Sequence, residues 1–228
     1  MKTNKKQETN CKTPAPDVPH GGQVSISPPA NVNTPYQVLT SGIDTLDLAI
    51  NVHWENDSFF DYLNTLKAQA QELDEEVPGI MKAENNLGDW KFGVKPHGSN
   101  GYEWLLNGKE FSLRIGNWKT PKTRPSVMAE ISAEALWRIG VKECVAGLVS
   151  LLRGSGASKE QLKPSRVDLC VDLLFPEEEW NFNLIFNRVT RARKAQIYLE
   201  NEIFTGFMIG RRKLAARAYD KAYEIDCI

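Results

Sequence analysis

Apolar residues alternate with polar ones in several short stretches, which is the pattern of a strand with one buried face. The clearest stretch is 165–174, in which Val167, Leu169, Val171 and Leu173 line one face. An earlier strand is predicted over 43–52, and four more form a predicted β-meander at 90–94, 101–106, 111–115 and 127–131. Asn107-Gly108, between two of these runs, is typical of a hairpin turn.

Apolar residues at helical spacing predict three helices between these strands. The first covers 58–76, with Ser58 at the N-cap. The second begins after Ser132 and continues to about 153, with Gly154 and Gly156 beyond its end. The third opens at Pro176 and ends in the basic turn 188–194. The stretch 214–224 is helical by propensity, whereas as a strand it would place Arg217, Tyr219 and Lys221 on one face.

These elements predict an α+β fold, a largely antiparallel sheet with flanking helices. Residues 1–37 are rich in Pro, Asn, Thr, Ser and Gly and show no apolar periodicity, so we expect a disordered tail. Residues 38–228 are then expected to form the folded domain. Hydrophobic residues make up 41% of the chain, which is enough for a core.

Charge and composition exclude several classes of protein. With 28 basic and 29 acidic residues, the net charge points to no partner. There is no apolar run of about 18 residues and no signal-peptide pattern, so we expect a soluble, cytoplasmic protein without membrane contact. The four cysteines have no metal or redox spacing, and the three histidines are scattered. The P-loop motif is also absent.

The carboxylates of the 165–174 stretch are the first candidate chemistry. Asp168 and Asp172 share the face opposite the apolar one, although strands disfavour Asp. Four strand residues span about 13 Å, so each carboxylate is expected to act with groups from neighbouring strands. A metal ion, an arginine or a phosphate would explain them, and the alternative is a polar face that meets water. Glu130, in the 127–131 strand, is a third acid.

Basic residues cluster in the last third of the chain and favour a polyanionic partner, the alternative being a solvated face. The clusters are Arg188, Arg191, Arg193 and Lys194, then Arg211, Arg212 and Lys213, with Arg217 and Lys221 beyond. Phe204, Phe207 and Tyr219 add aromatic faces on which unpaired bases can stack.

Three segments together resemble a known family. They read S-R-x-D-x-x-x-D at 165–172, G-x-x-x-G-x-x-K at 206–213 and Y-D-K-x-x-E at 219–224. In this order they are similar to the plasmid and phage replication initiation factors of the Rep_trans type, which include NicK-like DNA relaxases. The match covers about 165–224, and the strand and helix order of 42–153 is compatible with it.

The resemblance implies rolling-circle replication initiation, in which a tyrosine nicks one strand of origin DNA and forms a 5′-phosphotyrosine link. Carried over by position, Tyr219 is the nucleophile and Lys221 its cationic neighbour. Asp168, Asp172 and Glu130 are the implied ligands of Mg²⁺ or Mn²⁺, which prefer oxygen donors. The implied DNA-binding residues are Arg166, Arg211, Arg212, Lys213 and Arg217. The implied partners are single-stranded or cruciform origin DNA, a host helicase and a second copy of the chain.

The chain departs from the family pattern at its end. It stops at Ile228, soon after the Y-D-K segment, whereas relatives continue through further strands with another acidic residue. We therefore expect a C-terminally truncated initiator whose nicking activity is impaired. A DNA-binding regulator without chemistry is the alternative, and a structural domain without nucleic acid is a third.

Overall fold

The computed structural model describes residues 36–84, 88–121, 123–176, 180–186, 190–211 and 214–226. Its described residues form two compact units, 41–170 and 171–226, the second of which also includes 36–40. All but two residues of the predicted tail, 1–37, lie outside the described part of the chain. Each unit has a sheet of its own, and the unit boundaries fall within two long strands.

The described part of the chain contains ten strands and four α-helices. The strands are β1 (Gln37–Trp54), β2 (Val77–Lys82), β3 (Asp89–Val94), β4 (Trp104–Gly108), β5 (Phe111–Ile115), β6 (Val127–Ile131), β7 (Ala157–Leu174), β8 (Ala195–Glu200), β9 (Ile203–Arg211) and β10 (Leu214–Tyr219). The helices are α1 (Ser58–Leu73), α2 (Ala133–Arg138), α3 (Val141–Gly154) and α4 (Lys221–Asp226), with a 3₁₀ turn at Phe182–Ile185.

Both sheets are built mainly from strands that follow one another in sequence. The large sheet has seven strands in the order β2-β3-β4-β5-β6-β1-β7, and the smaller has three in the order β10-β9-β8. The predicted mixed α+β fold with a large antiparallel sheet is confirmed. The placement of β1 between β6 and β7 brings together strands that are far apart in sequence.

The core of the first unit lies on one face of the large sheet. Alternate residues of β1, from Leu46 to Val52, are at most 5% exposed. They belong to one apolar cluster with the buried faces of α1, α2 and α3. The residues between them in β1 are half-buried and lie on the other face. The period-two prediction for this strand is therefore confirmed.

The sequence analysis did not predict β2, and it extended the first helix to residue 76. The helix α1 ends at Leu73 instead, and Asp74 follows in the left-handed conformation with φ 55°. Gly79 then lies in β2, where a Cβ would come within 2.7 Å of Leu66 and Phe92. The predicted N-cap was also wrong by one residue, since Asp57 occupies that position.

The prediction of one long second helix was wrong, because the structure has two helices, α2 and α3, in its place. Gly140 separates them with φ 98°, a conformation that glycine adopts without steric cost. The predicted cap at Ser132 is confirmed, since its side chain accepts a hydrogen bond from the Ala135 backbone N–H.

The position of the turn in the β4–β5 hairpin also differed from the prediction. The hairpin is confirmed, but Asn107 pairs with Ser112 across the two strands. The register therefore leaves Lys109-Glu110 as the turn, with Asn107 and Gly108 inside β4.

The predicted third helix was wrong in its described part. Residues 182–185 form a 3₁₀ turn, which Asn181 caps by accepting a hydrogen bond from the Asn183 N–H, and 190–194 have no regular structure. Further on, the stretch 214–224 divides between the two alternatives, as β10 up to Tyr219 and α4 from Lys221.

Candidate nucleic-acid nicking site

The long strand β7 has the predicted alternation, but its apolar face is the more exposed one. Leu169 is 78% exposed and Val167 is 45% exposed. Asp168 and Asp172, on the other face, are half-buried. The side chains of Asp168 and Asp172 are 40% and 36% exposed, so this face still meets water in part. Partly buried carboxylates need partners, and the structure supplies them.

In the first unit, the strand order brings a second carboxylate pair beside β7. Asp47 on β1 lies directly opposite Glu130 on β6 in the antiparallel register. Directly opposite residues share a face of the sheet, so these two acids are cross-strand neighbours. Since β1 also neighbours β7, the carboxylates come from three adjacent strands.

Electrostatics links these groups into one set, which we call the acidic cluster: Asp47, Glu130 and Asp168, with Arg114 and Arg166. Burial is the main cause that raises the pKa of Asp47, and the charge of Glu130 adds to it. Arg166 and Arg114 act in the opposite direction, and Asp168 raises the pKa slightly further. The Oδ1 atom of Asp47 is buried and accepts no hydrogen bond from the residues that the structure describes.

Arg166 and Asp168 form an ion pair along β7. The Arg166 Nε donates to Asp168 Oδ1 at 3.2 Å, and Nη2 donates to Oδ2. This pairing raises the pKa of the Arg166 guanidinium. Both oxygens of the Asp168 carboxylate are therefore engaged by a residue that the sequence analysis assigned to DNA.

Asp172 has a different partner, within the second unit. The Lys221 Nζ lies 3.4 Å from Asp172 Oδ2. Both side chains are partly exposed, so the net contribution of this ion pair to stability is small. The two aspartates that share a face of β7 thus pair with different cations.

Tyr219 is the last residue of β10 and is 45% exposed. Two backbone features fix the chain around it. It pairs with Gly206 on β9, and the N–H of Asp220 donates to the Thr205 carbonyl at 2.9 Å. Asp220 Oδ1 then accepts a hydrogen bond from the Tyr223 N–H in the first turn of α4. Tyr219 is thereby held at a strand-to-helix junction.

The predicted strand row Arg217, Tyr219 and Lys221 is only partly correct. Arg217 and Tyr219 share a face of β10, but Lys221 is the first residue of α4. Arg217 and Arg211 are exposed. Arg212 and Lys213, also predicted to bind DNA, lie outside the described residues.

The acidic cluster can be tested for its fit to a divalent cation. Its three carboxylates are the hard oxygen donors that Mg²⁺ and Mn²⁺ prefer, and the Asp47 Oδ1 atom lacks a hydrogen-bond donor. Within the described ranges, no three Asp, Glu, His or Cys residues are arranged to hold a metal ion. The carboxylate oxygens are thus of the chemical type that these ions bind. Asp168 would have to separate from Arg166 to bind an ion together with Asp47 and Glu130.

The sequence analysis missed Asp47, whose Oδ1 atom is buried. Its signal was the same alternation that predicted β1, because Asp47 lies between Leu46 and Leu48 and so on the opposite face. What the sequence did not provide was the position of β1 between the strands of Glu130 and Asp168.

Fold and cluster together define a mixed α+β protein with an acidic cluster on its large sheet and an exposed tyrosine in its smaller unit. Family models, curated proteins and solved structures were each compared with this chain, and none matches it. In the part of the chain that the structure describes, no helix is long and apolar enough to cross a membrane.

Proposed function

We propose that this chain is a rolling-circle replication initiation protein that nicks one strand of DNA through Tyr219 in a metal-dependent reaction. The observation that carries the proposal is the acidic cluster, whose three carboxylates come from adjacent strands and whose Asp47 Oδ1 atom is buried without a hydrogen bond from the described residues. The motif resemblance described above adds the reaction class. We place this protein in the cytoplasm, with origin DNA, a host helicase and a second copy as partners.

Within this proposal, Asp47, Glu130 and Asp168 hold Mg²⁺ or Mn²⁺. A bound divalent ion would neutralise phosphate charge and stabilise the departing oxygen. The residues of the chain perform the other steps. Arg166, once released from Asp168, and Arg217 bind phosphate oxygens. Arg217, which shares a face of β10 with Tyr219, keeps the scissile strand oriented for attack.

The covalent step is a transesterification. The Tyr219 oxygen loses its proton and forms a bond to phosphorus, while the bond from phosphorus to the 3′-oxygen breaks. The 3′-oxygen takes up a proton, so a free 3′-hydroxyl and a 5′-phosphotyrosine result. A free tyrosine has a pKa of about 10, so a nearby cation is needed to favour the phenolate. Lys221, two residues away in the sequence, supplies that charge.

The proposal is tested by a gel assay for covalent adducts. The protein is incubated with single-stranded oligonucleotides from its own genetic neighbourhood, with Mn²⁺ or with EDTA. The expected result is an adduct that forms with Mn²⁺, is absent with EDTA and is lost in Tyr219→Phe. Asp47→Asn should reduce adduct formation about 10-fold or more, since the cluster would lose a ligand.

Tyr62→Phe is the matched control, because Tyr62 is similarly exposed but lies on α1 of the first unit. It should leave adduct formation unchanged. An adduct that survives in Tyr219→Phe would exclude Tyr219 as nucleophile. DNA binding without an adduct under any metal condition would exclude nicking by this chain.

A DNA-binding regulator without chemistry is the second candidate. It is favoured by the ion pairs of Asp168 with Arg166 and of Asp172 with Lys221, which already neutralise two of the predicted ligands. Such a protein would bind DNA equally with Mn²⁺ and with EDTA. The adduct assay therefore separates the two candidates.

A further inference from the structure

Two basic segments of the second unit meet at one end of its three-stranded sheet. The backbone N–H of Gly210 donates to the Lys194 carbonyl at 3.0 Å, and β8 and β9 pair antiparallel from there on. In antiparallel pairing, the residue before Lys194 and the residue after Gly210 come next in the same register. Arg193 and Arg211 are therefore neighbours, although they are distant in the sequence.

Arg217 extends this end of the sheet onto the third strand. Arg217 on β10 and Gln196 on β8 both pair with Met208 of β9, so they share a face. Lys194 precedes Gln196 by two residues, which is the spacing of one strand face. With about 3.3 Å per residue and about 4.8 Å between strands, the Cα atoms of Lys194 and Arg217 are about 12 Å apart.

Arg191 lies just before these residues in the chain. The Thr190 hydroxyl oxygen accepts a hydrogen bond from the Ala192 N–H at 3.0 Å, which holds the backbone around it. The cations of this region are all exposed. We call them the basic end: Arg191, Arg193, Lys194, Arg211 and Arg217.

The carboxylates of the second unit lie elsewhere, as far as the structure describes them. Glu200 and Glu202 flank the β8–β9 turn, and Asp220 follows β10 and lies beside Thr205, near the same turn. Asp172 is paired with Lys221. The described part of the sheet is thus positive at one end and negative at the other.

The basic end has no counter-charge among the described residues. None of its side chains takes part in an ion pair there. Like charges on neighbouring strands, such as Arg193 and Arg211, are destabilising. A bound polyanion would offset this repulsion, and a row of exposed cations over about 12 Å suits a ligand with repeated charges better than a single anion.

We propose that the basic end binds the phosphate backbone of single-stranded DNA, with Arg193 and Lys194 as contact residues. The choice of DNA as the ligand rests on the proposed function. Between Lys194 and the far strand lie only Gly210 and its partner Ala215, which have no ring or polar side chain to contact a base. Phosphate contacts carry no sequence information, so this binding is independent of base sequence.

The test uses the salt dependence of binding, which counts phosphate contacts. Binding of a short oligothymidylate is measured in EDTA by fluorescence anisotropy at several salt concentrations. The double variant Arg193→Gln/Lys194→Gln should bind about 10-fold or more weakly at about 0.1 M salt. The slope of log K against log salt should become shallower by about 1.4, because each lost contact removes about 0.7. Arg193→Lys/Lys194→Arg, which keeps both charges, should restore native affinity.

Lys91→Gln/Lys142→Gln is the matched control, because it makes the same change in charge at exposed positions of the first unit. It should leave affinity and slope unchanged. The proposal is wrong if Arg193→Gln/Lys194→Gln binds like the native chain, loses affinity without a change in slope, or behaves like the control. It is also wrong if the native chain does not bind the oligothymidylate. A loss of binding only to phosphatidylserine vesicles would assign the basic end to a lipid surface instead.

Adduct formation with Mn²⁺ is measured on the same protein samples. Weaker DNA binding by Arg193→Gln/Lys194→Gln, without an adduct from the native chain, would retain the basic end and reject the nicking reaction. An adduct from the native chain combined with no effect of the double variant on binding would do the reverse.

Discussion

At the residue scale, the strongest local conflict is between Asp47 and Glu130. Two like charges stand directly opposite each other, and the Asp47 carboxylate has a buried oxygen that no donor of the described residues reaches. Like charges at such positions destabilise a sheet by about 0.2–1 kcal/mol. Arg166 and Arg114 partly screen this pair. Local arrangements that lower stability in this way are found at binding and active sites.

Asp47→Asn is therefore expected to raise the free energy of unfolding at pH 7 by about 0.2–1 kcal/mol, because it removes the repulsion with Glu130. Chemical denaturation measures the change. Asp44→Asn is the control, since Asp44 is exposed on the same strand, and it should have little effect. Stabilisation by both variants to the same extent would contradict the proposed cause.

The advantage of Asp47→Asn should depend on pH. The pKa of Asp47 is raised in the folded protein, whereas an Asp in the unfolded chain has a pKa of about 3.9. The folded state therefore holds this proton more tightly, and the Asp47 charge destabilises the protein above the folded pKa. As the pH falls through that pKa towards about 4, the penalty disappears. Denaturation curves at pH 7 and at about pH 4 measure the free energy of unfolding of both proteins. The difference between the native chain and Asp47→Asn should disappear at the lower pH. A difference in unfolding free energy that is the same at both pH values would contradict the proposed link between the Asp47 charge and stability.

At the element scale, two glycines of the α2–α3 region have opposite roles. Gly140 has φ 98° between the helices, and a Cβ there would lie 2.9 Å from the Glu143 carboxylate. Gly147 is inside α3, and a Cβ there has no neighbour within 4 Å among the described residues. One glycine is required by the backbone, and the other only lowers helix propensity.

Gly140→Ala should lower the free energy of unfolding by about 1–2 kcal/mol, because an L-residue is strained in this conformation. Gly147→Ala should raise it by about 0.5–1 kcal/mol, because alanine is the better helix former. Both changes are measured by denaturant titration of the full chain. If the two variants shifted stability in the same direction, the assigned break between α2 and α3 would be wrong.

At the scale of the whole molecule, burial is concentrated in the first unit. All residues of the main apolar cluster lie between Leu46 and Ala157. In the three-stranded sheet of the second unit, only Gly206 is buried among the residues whose burial is described. The two units are thus expected to differ in local stability, since resistance to opening follows buried apolar contacts.

Native-state hydrogen exchange checks this expectation. Amides of β5 and β6 should exchange more slowly than those of β9 and β10, by about 10-fold or more, because opening β5 and β6 exposes the large core. Mass spectrometry of proteolytic fragments resolves these segments. Equal protection of both sheets in the free protein would contradict the uneven burial.

Local patterns were sufficient for many elements of this chain. Alternation placed β1, β5 and β6 and the alternating face of β7, because the period of a strand follows from backbone geometry alone. The Ser132 cap could also be predicted from the sequence, since it depends on a side chain and a backbone group three residues apart. Errors arose where glycine and proline allow several structures, as at Gly79 and Gly140.

The sequence by itself determined which residues share a strand face, since side-chain direction alternates with every residue. It therefore identified Asp168 and Glu130 as polar positions on their strands. Only the tertiary structure decided which strands are neighbours, because strand pairing depends on contacts between distant segments. That pairing brought Asp47 into the acidic cluster and placed Arg193 beside Arg211.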